Sequence, residues 1–94
     1  MNSLTVNNVR NFLLNRYSGR LAARGLDPSG IGENFDLLAS GIVEDSLGLM
    51  EMISAVEQHF NITVDFESMD PAELSVLGPF SHYVAAKAKG QTAG

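Results

Sequence analysis

Apolar residues recur every three or four positions in three stretches of the chain, which is the spacing of amphipathic helices. Thr5 can cap the first of these helices, whose apolar positions are Val6, Val9, Phe12, Leu13, Tyr17 and Leu21. Gly19 weakens this helix, and Gly25 is a typical C-terminal stop. Four-residue spacing also predicts a solvated basic stripe on the opposite side, formed by Arg16, Arg20 and Arg24.

The second helix is predicted to run from Ser46 to Phe60 and to end at Asn61, which tolerates the left-handed conformation. One apolar stripe is wide enough to be its buried face and contains Leu49, Met52, Ile53, Val56 and Phe60. A second set, rotated away from the first, contains Leu47, Met50, Glu51 and Ser54. The core does not need the two apolar members of this second set, so they are predicted to lie at the surface.

The remainder of the chain predicts a short helix followed by a longer one. Asp70 can cap the short helix, with Pro71 in its first position and Glu73 completing a capping box. The last helix is expected to start near Ser75 or Val76, and its buried face is predicted to contain Leu77, Phe80, Val84 and Ala88.

A loop of about twenty residues, rich in Gly, Pro, Asp and Ser, joins the first two helices. It also carries several large apolar residues, so we expect it to be pinned onto the core. The predicted fold is an all-α, small four-helix bundle of three longer helices and one short helix, with this long loop between helices 1 and 2.

Length and composition indicate one domain, residues 1–94, with a frayed tail at about 90–94. The apolar fraction of 45% is typical of a globular chain, and the absence of cysteine excludes disulfides, thiolate metal sites and a cysteine nucleophile. No apolar run approaches membrane-spanning length, and the first residues lack the layout of a signal peptide. A cytoplasmic protein without membrane insertion is therefore predicted.

Charge is divided unevenly along the chain. Residues 1–26 contain four arginines and no acid, whereas residues 27–86 contain all eleven acids and no lysine or arginine. Such an acidic stretch disfavours nucleic acid as a partner, because phosphate binding needs clustered cations. It suits a protein partner with a basic surface, although an acidic face can also serve solubility alone.

Ser46, which follows Glu44 and Asp45 at the start of the second helix, allows three interpretations. A hydrolase nucleophile is disfavoured, since G-x-S-x-G lacks its first glycine and His59 lies at the far end of the same helix. A helix cap, supplied by Asp45 or Ser46, is the simplest reading of an isolated Asp-Ser pair. The third reading is a phosphate ester on Ser46, because free N–H groups and the helix dipole favour negative charge there.

Asp45-Ser46-Leu47, within SGIVEDSLGLMEMISAVEQHFNI, resembles the phosphopantetheine attachment site of acyl and peptidyl carrier proteins. The downstream VDFESMDPAELSVLGPFSHYV is similar to the third and fourth helices of that family. The resemblance implies that Ser46 carries 4′-phosphopantetheine, whose thiol holds an acyl or aminoacyl group as a thioester. It further implies that Asp45 helps to recruit a phosphopantetheinyl transferase that uses coenzyme A and magnesium.

By the same resemblance the protein is a carrier and not an enzyme. Its expected partners are the transferase, an acyl- or aminoacyl-activating ligase, and a downstream acyltransferase or synthase, and we expect a monomer. The residues predicted to bind partners are Leu47, Met50, Glu51, Ser54 and Glu57, with no Lys or Arg nearby to neutralise the two acids. The alternative from another class is an acidic interaction module in which Ser46 only caps a helix.

Two departures from the common family pattern indicate a specialised carrier rather than one of the main fatty-acid pathway. Glu44 is an extra residue between SGIV and DSL, and Gly48 stands where fatty-acid carriers often have an acidic residue. The sequence predicts no metal site, because the two histidines have no ligand spacing and DFESMD lacks the glycine and final glutamate of a calcium loop.

Overall fold

The computed structural model describes residues 4–70 and 72–87, with Lys87 described by its backbone alone. Within these residues the chain forms four α-helices: α1 (Val6–Arg16), α2 (Ser18–Ala23), α3 (Ser46–Phe60) and α4 (Leu77–Lys87). Short 3-10 helices at Pro28–Gly30 and Phe66–Ser68 lie in the connections, and the only extended pairing in the described residues is an isolated antiparallel bridge between Asp36 and Val76. The all-α, four-helix prediction is confirmed, although its short helix is not the one expected.

The predicted first helix is divided at Tyr17 into α1 and α2. Thr5 caps α1 as predicted, because its side chain accepts a hydrogen bond from the N–H of Asn8 at 3.1 Å. Tyr17 departs from helical geometry (φ −102°, ψ 15°) while its side chain stays buried, and the residues that follow it, Ser18 and Gly19, are weak helix formers. The short helix of the bundle is therefore α2, and Gly25 (φ +72°) ends it as predicted.

The bounds of α3 agree with the prediction at both ends. Asp45 is its N-cap, and Asn61 occupies the left-handed conformation (φ 56°, ψ 53°) just beyond Phe60. The predicted inner face is confirmed, because all five of its residues are buried: Leu49, Met52, Ile53, Val56 and Phe60. This inner face packs with the buried residues of α1 and α4 into one hydrophobic core.

The prediction of a short helix capped by Asp70 was wrong for the residues that the structure describes there. Residues 72–75 form a turn, in which the Asp70 carboxylate accepts from the N–H of Ala72 at 2.9 Å, and Pro71 lies outside the described residues. The backbone that would continue a helix is committed elsewhere, since the carbonyl of Ser75 accepts from Leu37 N–H at 2.9 Å. Helix α4 consequently begins only at Leu77.

The long loop between α2 and α3 is pinned onto the core, as the sequence predicts. It contributes four buried apolar residues: Ile31, Leu37, Ile42 and Val43. The Asp36 carboxylate fixes the loop by accepting from the N–H groups of Leu38 and Ala39, at 2.9 and 3.0 Å, and from the Ser75 hydroxyl at 2.7 Å. We call this set of contacts the Asp36 junction. The predictions for Ala88 and for the frayed tail at 90–94 lie outside the described residues.

Candidate functional site

Ser46 is the first residue of α3 and is exposed. The residue before it, Asp45, has an extended backbone, and its side chain accepts from the N–H of Gly48 at 2.9 Å. Asp45 is therefore the helix cap. Within the described chain the Ser46 hydroxyl has no hydrogen-bond partner, so it is not needed to close the helix end and is free to react.

The outer face of α3, defined here as Leu47, Met50, Glu51 and Ser54, lies at the surface beside this hydroxyl. Leu47 is 70% exposed and Met50 is 39% exposed, which makes them the exposed large apolar residues of the described chain. The predicted rotation of this set away from the core is thus confirmed. A contiguous exposed apolar patch marks surfaces that contact other proteins, whereas single exposed leucines are common, so a role of this face in partner binding stays a prediction.

The premise that no cation lies near the acids of α3 was wrong for Glu51, which lines the same cavity as two arginines. Arg16 and Arg20 line a cavity of about 270 Å³ at the start of α3. Its lining includes Asp45 and Leu47, the chain neighbours of Ser46, but not Ser46 itself. We call this cavity the arginine cavity; its remaining lining residues are Tyr17, Val43, Glu44, Asp45, Leu47, Gly48 and Glu51. Four-residue spacing predicted a stripe of Arg16, Arg20 and Arg24, but only the tertiary packing shows that the first two line this cavity and that Arg24 does not.

Each arginine of the cavity is placed by identifiable contacts. The Arg20 guanidinium donates to the carbonyl of Ile42 at 2.7 Å. The central carbons of both guanidinium groups lie 5.7 Å from the centre of the Tyr17 ring, within the range of a cation–π interaction. Both guanidinium groups therefore lie by the Tyr17 ring, and that of Arg20 is also bonded to the loop that precedes α3.

Glu57 stands apart from the outer face. It is half-buried, and its carboxylate accepts from the backbone N–H of Val64 at 2.8 Å. This bond fixes the connection that leaves α3, which gives Glu57 a structural reason to be acidic. Its role in partner binding stays a prediction.

The two histidines do not approach the arginine cavity. His59 stacks on Phe12 with 4.2 Å between ring centres at the other end of α3, roughly 20 Å from Ser46 along the helix axis. His82 lies 3.4 Å from Glu33, against a separate cleft beside α4. No described histidine lines this cavity, so the described residues do not form the serine–histidine pair of a typical serine hydrolase there.

The comparisons with known proteins agree with this geometry. A family model described as "Phosphopantetheine attachment site" matches residues 22–84, which is about two thirds of the chain. No curated protein and no solved structure matches the chain significantly. Among the described residues, no helix has both the length and the apolar character needed to span a membrane.

The residues at the start of α3 fit the group that this family carries. Covalent attachment of 4′-phosphopantetheine needs an accessible hydroxyl that the fold does not use, and the Ser46 hydroxyl is one. It also needs room for a phosphodiester beside the helix start, and the arginine cavity adjoins that position with two guanidinium groups.

Proposed function

Because the chain belongs to the phosphopantetheine attachment-site family, whose domains carry 4′-phosphopantetheine covalently, we propose that Ser46 is the attachment residue. The single observation that supports this proposal best is that Asp45, and not Ser46, caps the start of α3. Asp45 caps the helix through Gly48, and the neighbouring Ser46 hydroxyl is exposed and unbonded within the described chain.

The attachment step exchanges one bond for another. The Ser46 Oγ forms a bond to the phosphorus of coenzyme A that bears the pantetheine arm, and the diphosphate bond of coenzyme A breaks. Adenosine 3′,5′-bisphosphate leaves, and the hydroxyl proton passes to a base of the transferase. When bound, the group supplies a thiol that holds an acyl or aminoacyl cargo as a thioester.

In this role the chain holds and presents its cargo, and partner enzymes carry out the reactions. The outer face of α3 is the proposed docking surface for the transferase and for the ligase and acyltransferase or synthase that use the cargo. Leu47 and Met50 supply apolar contact area, and Glu51 supplies charge that steers association. We further propose that residues 1–94 act as one carrier domain in the cytoplasm, and that Gly48 and the nearby arginines reflect a specialised pathway with its own loading ligase.

Intact-mass measurement after incubation with coenzyme A, magnesium and a broad-specificity phosphopantetheinyl transferase tests the attachment site. We expect one phosphopantetheinyl group per chain in the native protein and in Ser18→Ala, a control at an exposed serine of α2, outside the outer face of α3. Ser46→Ala should stay unmodified while its circular dichroism spectrum and melting remain native. An unchanged mass of the native chain, with a transferase shown to modify another carrier, would refute the carrier function.

A further inference from the structure

We propose that Arg16 and Arg20 form a binding subsite for the phosphodiester through which 4′-phosphopantetheine is attached. This inference rests on the proposed function of Ser46 and assigns a role to residues outside the attachment tripeptide. Its physical basis is the arginine cavity, which places two cations of α1 and α2 beside the first turn of α3.

Charge gives the first reason. The cavity is lined by three carboxylates, those of Glu44, Asp45 and Glu51, and by two guanidinium groups, which leaves one net negative charge. A phosphodiester on Ser46 adds another negative charge at this already acidic position. Without the arginines, the same anion would meet three like charges and no cation, which is unfavourable. Guanidinium groups are the side chains best suited to a phosphate anion, because their planar fork presents several N–H donors.

Placement gives the second reason. The guanidinium of Arg20 uses one donor on the carbonyl of Ile42 at 2.7 Å and has others left for a ligand. Anchored in this way, it lies at the cavity before any ligand arrives. The other two arginines of the described chain lie elsewhere: Arg10 donates to the carbonyl of Ile31, and Arg24 lies against Gly41. Arg16 and Arg20 are thus the two arginines that line the cavity at the start of α3, together with Asp45 and Leu47, the chain neighbours of Ser46.

Gly48 gives the third reason, because it keeps the cavity open. A Cβ atom at this position would lie 3.2 Å from a methyl group of Val43 and 3.6 Å from the carboxylate of Asp45. A longer side chain would therefore extend along the cavity wall, and an acidic one would add a competing partner for the arginines. Glycine inside a helix is destabilising by about 1 kcal/mol relative to alanine, so its presence here fits a need for space.

The test compares apo and holo forms of one protein at a time, so that any change in basal stability cancels. Thermal midpoints are measured at low salt for the native chain, for Arg16→Gln/Arg20→Gln, and for Arg24→Gln as a control outside the cavity. We expect the change in midpoint on conversion to holo protein to be about 2–6 °C less favourable in the double variant than in the native chain. The control should agree with the native chain, and 1 M salt should remove most of the difference by screening.

A second readout is the ³¹P chemical shift of the phosphodiester in the holo proteins. Relative to the native chain, this chemical shift should change in the double variant and remain the same in Arg24→Gln. If the double variant does not fold, Gly48→Glu replaces it, with Gly48→Gln as a control of equal size. The apo-to-holo change in thermal midpoint should become less favourable in the glutamate variant. The glutamine variant should keep the native change.

Equal apo-to-holo changes in all the folded proteins would overturn the subsite. So would arginine variants that keep this change and lose only affinity for the transferase, because the cations would then serve a partner's acidic surface. A native chain that accepts no phosphopantetheine fails at the earlier mass measurement, which separates failure of the carrier function from failure of the subsite.

Discussion

Both faces of α3 contain a leucine and a methionine, but these residues meet opposite environments on the two faces. The inner face, Leu49, Met52, Ile53, Val56 and Phe60, is at most 9% exposed, whereas Leu47 and Met50 on the outer face are 70% and 39% exposed. Burial of a large apolar side chain stabilises a fold by roughly 1.5–3 kcal/mol, and the outer face forgoes most of that gain. The comparison teaches that hydrophobicity alone does not mark a core. What distinguishes the outer face is its place beside an available hydroxyl.

Truncation of the inner face should have the largest effect. Ile53 is 2% exposed, so Ile53→Ala removes packed methyl groups and leaves a cavity. We expect a loss of about 2–5 kcal/mol in the free energy of unfolding, measured by urea denaturation with the m-value unchanged. A loss below about 1 kcal/mol would show that the inner face is not tightly packed, and the contrast between the faces would disappear.

Disruption of the Asp36 junction, which fixes the loop between α2 and α3 onto the core, should have the second largest effect on stability. Burial raises the pKa of Asp36, but the N–H of Ala39, the hydroxyl of Ser75 and the N–H of Leu38 outweigh it and hold the pKa below its usual value. A depressed pKa in the folded state stabilises the fold above the pKa of the unfolded chain, about 3.9, and this contribution is lost as pH falls through the folded value.

Asp36→Asn should therefore weaken the pH dependence of stability in this acid range and cost about 1–3 kcal/mol at neutral pH. Urea melts at a series of pH values from about 6 to 3 measure both quantities. Glu67→Gln, at an exposed position, is the control and should keep the native slope. An unaltered slope in Asp36→Asn would mean that this carboxylate does not link the loop to the core.

Truncation of the outer face should affect binding and spare the fold. Because Leu47 is mostly exposed, Leu47→Ala should change the free energy of unfolding by no more than about 0.5 kcal/mol. It should weaken binding to a partner enzyme by about 1 kcal/mol or more, as measured by calorimetry with the transferase. Strong destabilisation would place Leu47 in the core, and unchanged affinity would remove it from the docking surface.

Charge on the outer face should have the smallest effect and should act on rates. Glu51→Lys should lower the association rate with a basic partner and reduce the dependence of that rate on salt. Since Arg16 and Arg20 line the same cavity, the effect should be smaller than for an isolated acid. Stopped-flow measurements at several salt concentrations decide it, with Glu67→Lys as the control. Identical rates for both variants would leave the acidic face as a solubility device.

The periodic parts of the fold could be predicted from the sequence, because their signals are local. Asn61 at the left-handed end of α3 and Thr5 at the start of α1 are determined by residues within one turn of themselves. The turn after Asp70 could not be predicted, since the capping pattern there competes with hydrogen bonds to a loop more than thirty residues away. Long-range pairing overrides a short-range preference of about 1 kcal/mol.

In the candidate site, too, the locally determined features could be predicted and those that depend on tertiary packing could not. Ser46 and the exposure of Leu47 follow from the tripeptide and from helical spacing. The presence of Arg16 and Arg20 in one cavity with Glu51 does not, because it depends on how α1 and α2 pack against the loop and the start of α3. Spacing shows which residues share a face, but it does not show what that face meets.

The Asp36 junction also has a consequence for the order of folding. Two backbone hydrogen bonds flank the junction: Leu37 N–H donates to the Ser75 carbonyl, and Leu77 N–H donates to the Phe35 carbonyl. They join positions 38 and 42 residues apart along the chain. Helices form from neighbouring residues within about a microsecond, whereas closing so long a segment loses chain entropy before any contact compensates. We therefore expect the loop to close over bundled helices late in folding, and the amide hydrogens of Leu37 and Leu77 to exchange together when it reopens.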